Sequence, residues 1–145
     1  MRHIIKLIPI IFIALFVWAC GDPNSAFDMT SPQAVIPVDT LEAHRGEIVT
    51  LNARLSDDSG LRSYTFEYGN WSIITDTIFQ DNPRQYDFSV KVTVPADAQT
   101  SWTETYQKND GSTFLITQTY HKLSLTFYDA VKNKNVVYFY IKVLP

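Results

Sequence analysis

The sequence predicts an all-β fold, an immunoglobulin-like antiparallel β-sandwich of about seven strands. Three observations carry the expectation. Apolar residues recur at every second position after residue 34, most cleanly as Tyr86, Phe88, Val90, Val92 and Val94 set against Asp87, Ser89, Lys91 and Thr93. Turn-forming residues punctuate these runs at Asp57-Asp58-Ser59-Gly60, Gly69-Asn70 and Asp81-Asn82-Pro83-Arg84. The helical period of 3.6 is almost missing from the same region. A closed barrel is the alternative architecture.

Each element has its own reason. Residues 34–38 form a short first strand placed at an edge, because Pro37 has no N–H to give to a ladder. Residues 47–56 alternate, with Val49, Leu51, Ala53 and Leu55 on one face and Thr50, Asn52 and Arg54 on the other. Residues 61–68 and 71–79 read as two strands joined by a two-residue hairpin at Gly69-Asn70. Residues 85–94 form the next strand. A long strand lies within residues 114–129, with Leu123, Leu125 and Phe127 in phase, and residues 136–143 close the chain with Val137, Phe139, Ile141 and Val143 in phase. The connection over residues 95–116 is longer than a median loop. Its two alternating stretches flank Asn109-Asp110-Gly111, so an extra hairpin is expected before the sixth strand.

The N-terminus is of another kind. Arg2, His3 and Lys6 precede a nearly continuous apolar run from Leu7 to Trp18, the layout of a secretory leader and too short to span a ~30 Å hydrocarbon core comfortably. Val17-Trp18-Ala19-Cys20 closes that run and resembles a bacterial lipoprotein lipobox. The resemblance implies a signal peptide over residues 1–19 and a palmitate-type acyl anchor on Cys20. Residues 20–33 would be the lipidated cysteine and a flexible tether, and residues 34–145 the β-sandwich domain. Two or more acyl chains give stable anchoring. Cys20 is the sole cysteine. With its thiol acylated, the fold has no disulfide to lean on and no cysteine for metal binding or nucleophilic attack.

Loss of Arg2 and Lys6 with the leader takes the formal net charge from −3 to −5, which argues against nucleic acid as a partner. The run from Asp58-Ser59-Gly60-Leu61 to Tyr64, the hairpin with Trp71, and Val92-Thr93-Val94-Pro95-Ala96-Asp97-Ala98 resemble the Ig-like or cadherin-like modules of small Bacteroidetes lipoproteins. The likeness covers residues 34–143. It implies a non-catalytic module at the outer membrane, on its periplasmic face or at the cell surface.

Candidate contact residues follow from strand direction. If strands alternate up and down, Trp71, Trp102 and Tyr106 collect at the end of the sandwich away from the tether and the membrane. Exposed aromatic rings there would stack on a glycan or anchor a protein interface, and the plainer account is structural packing. At the tether end, Asp57, Asp58, Asp81 and Asp129 are candidate ligands for Ca²⁺, which takes six to eight oxygens. No Asp-x-Asp-x-Asp run accompanies them, and solvated turn aspartates are the simpler account.

No catalytic residues are assigned. After loss of the leader only His44 and His121 remain as histidines, neither with a hydroxyl and carboxylate placed beside it, and Glu42, Glu47, Glu67 and Glu104 fall on separate elements. Asp39-Thr40-Leu41 and Asp76-Thr77-Ile78 resemble the short O-glycosylation sequence of Bacteroidetes secreted proteins. The expected function is therefore a membrane-anchored interaction or structural module with an envelope protein as partner. An accessory glycan-binding lipoprotein is the alternative.

Overall fold

The computed structural model describes residues 28–145, so the leader, Cys20 and the first part of the tether lie outside the described residues. Within it the chain is all-β: β1 (Gln33–Val35), β2 (Thr40–His44), β3 (Ile48–Ser56), β4 (Leu61–Tyr68), β5 (Ile73–Ile78), β6 (Gln85–Thr93), β7 (Trp102–Gln107), β8 (Thr113–Gln118), β9 (His121–Asp129) and β10 (Lys134–Leu144). A three-stranded sheet has the order β1-β3-β6, a five-stranded sheet the order β2-β10-β9-β4-β5, and β7 and β8 form a separate hairpin. No helix long and apolar enough to cross a membrane occurs among the described residues.

The two larger sheets pack face to face as a sandwich. Period-two alternation sends Val49, Leu51, Ala53 and Leu55 of β3 and Phe88 and Val92 of β6 inward from one sheet. Phe66 of β4, Leu123, Leu125 and Phe127 of β9, and Phe139 and Ile141 of β10 meet them from the other. Phe88 is the bridge: its ring lies 5.5 Å from Phe66, 6.2 Å from Phe139 and 5.3 Å, edge-on, from Tyr64. Each fully buried Leu, Ile or Phe contributes roughly 1.5–3 kcal/mol. In a chain whose described residues hold no cysteine, that burial is the main source of stability.

Several local expectations need correction. The first strand lies at an edge as expected but spans Gln33–Val35, stopping before Pro37, and the chain then crosses to the opposite sheet, where β2 pairs with β10 in parallel through Leu41↔Ile141 and Ala43↔Val143. The sandwich is thus not wholly antiparallel. The connection from β4 to β5 has four residues, a single 3-10 turn over Gly69–Trp71 followed by Ser72 in the left-handed region at φ +53°. The long strand expected over residues 114–129 is two strands, because β8 belongs to the hairpin and the chain turns at Thr119-Tyr120 before β9 enters the sandwich. The hairpin itself forms as expected, around Asn109-Asp110-Gly111, with Glu104↔Ile116 and Tyr106↔Phe114 in register.

The sheets also differ in width, and this shapes both lateral sides. On one side the crossing from β1 to β2 laces the sheets together. On the other, β6 has no neighbour beyond β3, while β5 extends the five-stranded sheet past it.

Gly60 carries a strict requirement at the turn between β3 and β4. Its φ is +91°, and a Cβ there would collide with the Asn82 carbonyl oxygen. Gly46, at φ +79°, has nothing within 4 Å of such a Cβ. Gly60→Ala is expected to lower stability by about 2–4 kcal/mol, against about 1 kcal/mol for Gly46→Ala. Urea unfolding of the two variants measures the difference.

Candidate functional site

The end of the sandwich that holds the β4–β5 turn is built around His121, the first residue of β9. Its imidazole is 3 % exposed and lies between two indoles, with centroids 4.5 Å from Trp71 and 4.7 Å from Trp102. Nε2 is 2.8 Å from the Gln99 carbonyl, which only accepts, so Nε2 carries the proton. Nδ1 is then free to accept the Tyr68 hydroxyl at 2.8 Å. Burial lowers the His121 pKa from 6.5, with the Gln99 carbonyl acting in the opposite sense, and burial raises that of Tyr68. The ring is neutral at pH 7 and fully bonded.

Next to it the hairpin organises a second network on Glu104. One carboxylate oxygen accepts the Trp102 indole N–H at 2.8 Å, and the other accepts the Tyr106 hydroxyl at 2.6 Å and the Gln118 amide at 3.3 Å. The indole N–H, then the Tyr106 hydroxyl, holds Glu104 below its ordinary pKa. A hollow of about 200 Å³ opens over these groups, walled also by Tyr68, Tyr120 and Lys122. A neighbouring hollow of about 410 Å³ shares Gln118, Tyr120 and Lys122 and extends to Tyr140.

Of the three aromatic residues singled out by the sequence, Trp71 and Trp102 therefore come together, but across a histidine rather than as an open platform, and both are half-buried. Tyr106 stands farther along the hairpin, 39 % exposed and stacked on Phe114 at 5.7 Å. The sequence reading missed His121 as the organiser. It also missed Glu104, whose three donors come from two strands that only the hairpin register brings together.

Tether-end groups converge differently. Carboxylate oxygens of Asp28, Asp57 and Asp129 lie within 4.8 Å of one another. Of the four candidate Ca²⁺ ligands, Asp57 and Asp129 thus meet, Asp58 and Asp81 lie outside the cluster, and Asp28 joins unforeseen. Every member has a role in the fold. Asp129, fully buried, accepts the Val131 N–H at 2.9 Å and the Asn133 N–H at 2.7 Å, closing the turn between β9 and β10. Asp57 accepts the Ser59 N–H at 2.8 Å, and Asp28 accepts the Thr30 N–H at 2.8 Å and the Ser59 hydroxyl. Asn133 also donates to the Asp28 and Thr30 carbonyls, and Asn135 to that of Pro32. Residues 28–32, expected as tether, are therefore fastened to the sandwich.

No protein-family model matches the chain, and no curated protein matches it.

Two expectations follow from the titrating groups. A His whose folded pKa is depressed contributes stability that is whole above its unfolded value and declines as pH falls through the folded one. Emission from Trp71 and Trp102 in leader-free protein should therefore change as pH drops below about 6.5, and His121→Gln should flatten that change. At the other end, burial foremost raises the Asp57 pKa, with Asp129, Asp28 and Asp58 adding repulsion against the bonding of the Ser59 N–H. A raised carboxylate pKa costs stability once pH exceeds the folded value. Asp57→Asn is expected to raise Tm at pH 7, with the gain shrinking in acid, as differential scanning fluorimetry across pH would record.

Proposed function

We propose that this chain is a non-catalytic binding module held at the bacterial outer membrane by acylation of Cys20, with another envelope protein as its partner. The observation that carries the reading is the β7–β8 hairpin. It stands as its own two-stranded sheet and holds Tyr106, Phe114, Leu115 and Ile116 in solvent, Leu115 at 69 % exposure. Tyr106, Phe114 and Ile116 share one face of this arm and Leu115 turns to the other, an apolar exposure beyond the scattered kind of an ordinary surface and of the sort that marks interaction sites. Asp28 lies at the far end of the sandwich from Trp102, separated by the length of β4, roughly 23 Å for its eight residues. That distance supports an anchor at one end and a working surface at the other. The strand orders β1-β3-β6 and β2-β10-β9-β4-β5, with the chain switching sheets at Pro37, support the immunoglobulin-like reading of the sandwich.

A photo-crosslinking amino acid at Leu115 in intact cells should capture one discrete envelope protein, and the same residue at Thr50, on the opposite face, should not. Absence of any Leu115-specific product would overturn the reading. Cys20→Ala should abolish labelling by radioactive palmitate and release the protein from membranes.

The paired hollows favour a glycan as the second reading, since Trp102, Tyr106, Tyr120 and Tyr140 offer ring surface beside Glu104, Gln118 and Lys122. Glycan-array binding lost in Tyr106→Ala and Tyr120→Ala, with Tm unchanged, would move the assignment there.

A further inference from the structure

We infer that the open lateral side of the sandwich, between the edge of β6 and the inner face of β5, is a slot that takes one extended strand of the partner protein. The inference rests on the partner being a protein, but it uses a surface apart from the hairpin.

The backbone supplies the template. Among the described residues β6 pairs only with β3, through nine residues in register. Arg84 and Val94 flank that ladder and bond toward the β3 side, through Asp57 N–H to Arg84 and Val94 N–H to Glu47. Antiparallel pairing alternates, so even-numbered residues of β6 face β3, and Gln85, Asp87, Ser89, Lys91 and Thr93 aim their N–H and C=O groups outward. An added strand would form about ten backbone hydrogen bonds with them. β6 contains no Pro, no bulge and no inward charge, three of the devices that block an edge; its outward Lys91 blunts it only against strands without a complementary charge.

The side chains supply the shape. Thr75 pairs with buried Phe66 and so shares its inward face, yet Thr75 is exposed because no strand lies opposite it. Tyr86 and Val90 point inward from β6 and remain half-buried for the same reason. Tyr64, Phe79 and Tyr86, with centroids 4.8–5.9 Å apart, close the slot at the tether end. One strand fits beside β6 and over β5. A second copy of this molecule does not, because β6-to-β6 pairing would drive its β4 into the overhanging β5.

Charge then specifies the occupant. Asp87 and Lys91 stand two residues either side of Ser89 on the outer face; Asp87 is already paired with Arg54 of β3 at 2.8 Å, whereas Lys91 has no carboxylate partner among the described residues. The incoming antiparallel strand should carry an acidic residue opposite Lys91 and apolar residues turned inward on either side of it. A synthetic peptide with the sequence of residues 85–93 meets this pattern, since pairing about Ser89 sets its own Lys91 against Asp87 and its Asp87 against Lys91.

The full-length protein in detergent should bind that labelled peptide by fluorescence anisotropy, with slowed amide exchange at residues 85, 87, 89, 91 and 93. Lys91→Glu should weaken binding about fivefold, and a peptide bearing Asp87→Lys should restore it. Ser89→Pro should abolish binding while leaving Tm near that of the parent, because its lost N–H faces outward. No binding, protection confined to residues 102–118, or indifference to both Lys91→Glu and Ser89→Pro would overturn the slot. If Leu115 crosslinks survive Ser89→Pro unchanged in yield, the slot is wrong and the binding module stands; if Leu115 captures nothing while the peptide binds, the hairpin reading alone fails.

Discussion

The contact of Phe88 with Phe66 and Phe139 is the constraint on which the rest of the structure depends. It is where the narrow sheet meets the wide one, and no covalent link among the described residues assists it. The buried residues of the wide sheet come from β2, β10, β9 and β4, and none from β5. β5 is left beyond the overlap. Its inward residues Ile73, Thr75 and Thr77 are correspondingly mixed in polarity, with Ile73 packed against the core margin and Thr75 exposed, as suits a strand covered only in part on that face.

The two ends of the sandwich are organised by opposite chemistry. At the hairpin end, a neutral imidazole between indoles and a carboxylate with three donors fix aromatic side chains in position. At the tether end, carboxylates and amides are spent on backbone groups, so turns and the incoming chain are locked together. A polar cluster satisfied by its own main chain has little left for a ligand, whereas the hairpin end leaves ring faces and Lys122 in solvent. That contrast is why the proposed contact surface lies at the hairpin end.

Legibility in the sequence followed burial. β3, β6, β9 and β10 were readable because one face of each is dry and the other wet, so Leu51, Phe88, Leu125 and Ile141 declare themselves by period. β2 was not, since Thr40–His44 is short, carries polar residues on an edge, and owes its existence to a parallel partner about 100 residues away. The turn at Gly69-Asn70 misled because Ser72, not a glycine, takes the left-handed conformation. The site was less legible still. Trp71 and Trp102 could be placed at one end by strand direction alone, but His121 between them, and Asp28 beside Asp57 and Asp129, are meetings of distant segments that leave no local pattern.

The lacing of β1 and β2 onto different sheets gives the molecule a mechanical character. Both segments run away from the tether end, β1 against β3 and β2 alongside β10. A pull on the N-terminal segment acts along their axes, so the ladder bonds of each are loaded together in shear rather than unzipped one after another. Held and pulled at opposite ends, as the proposed anchoring and partner would have it, the module would bear tension with the load carried by strands instead of by loops.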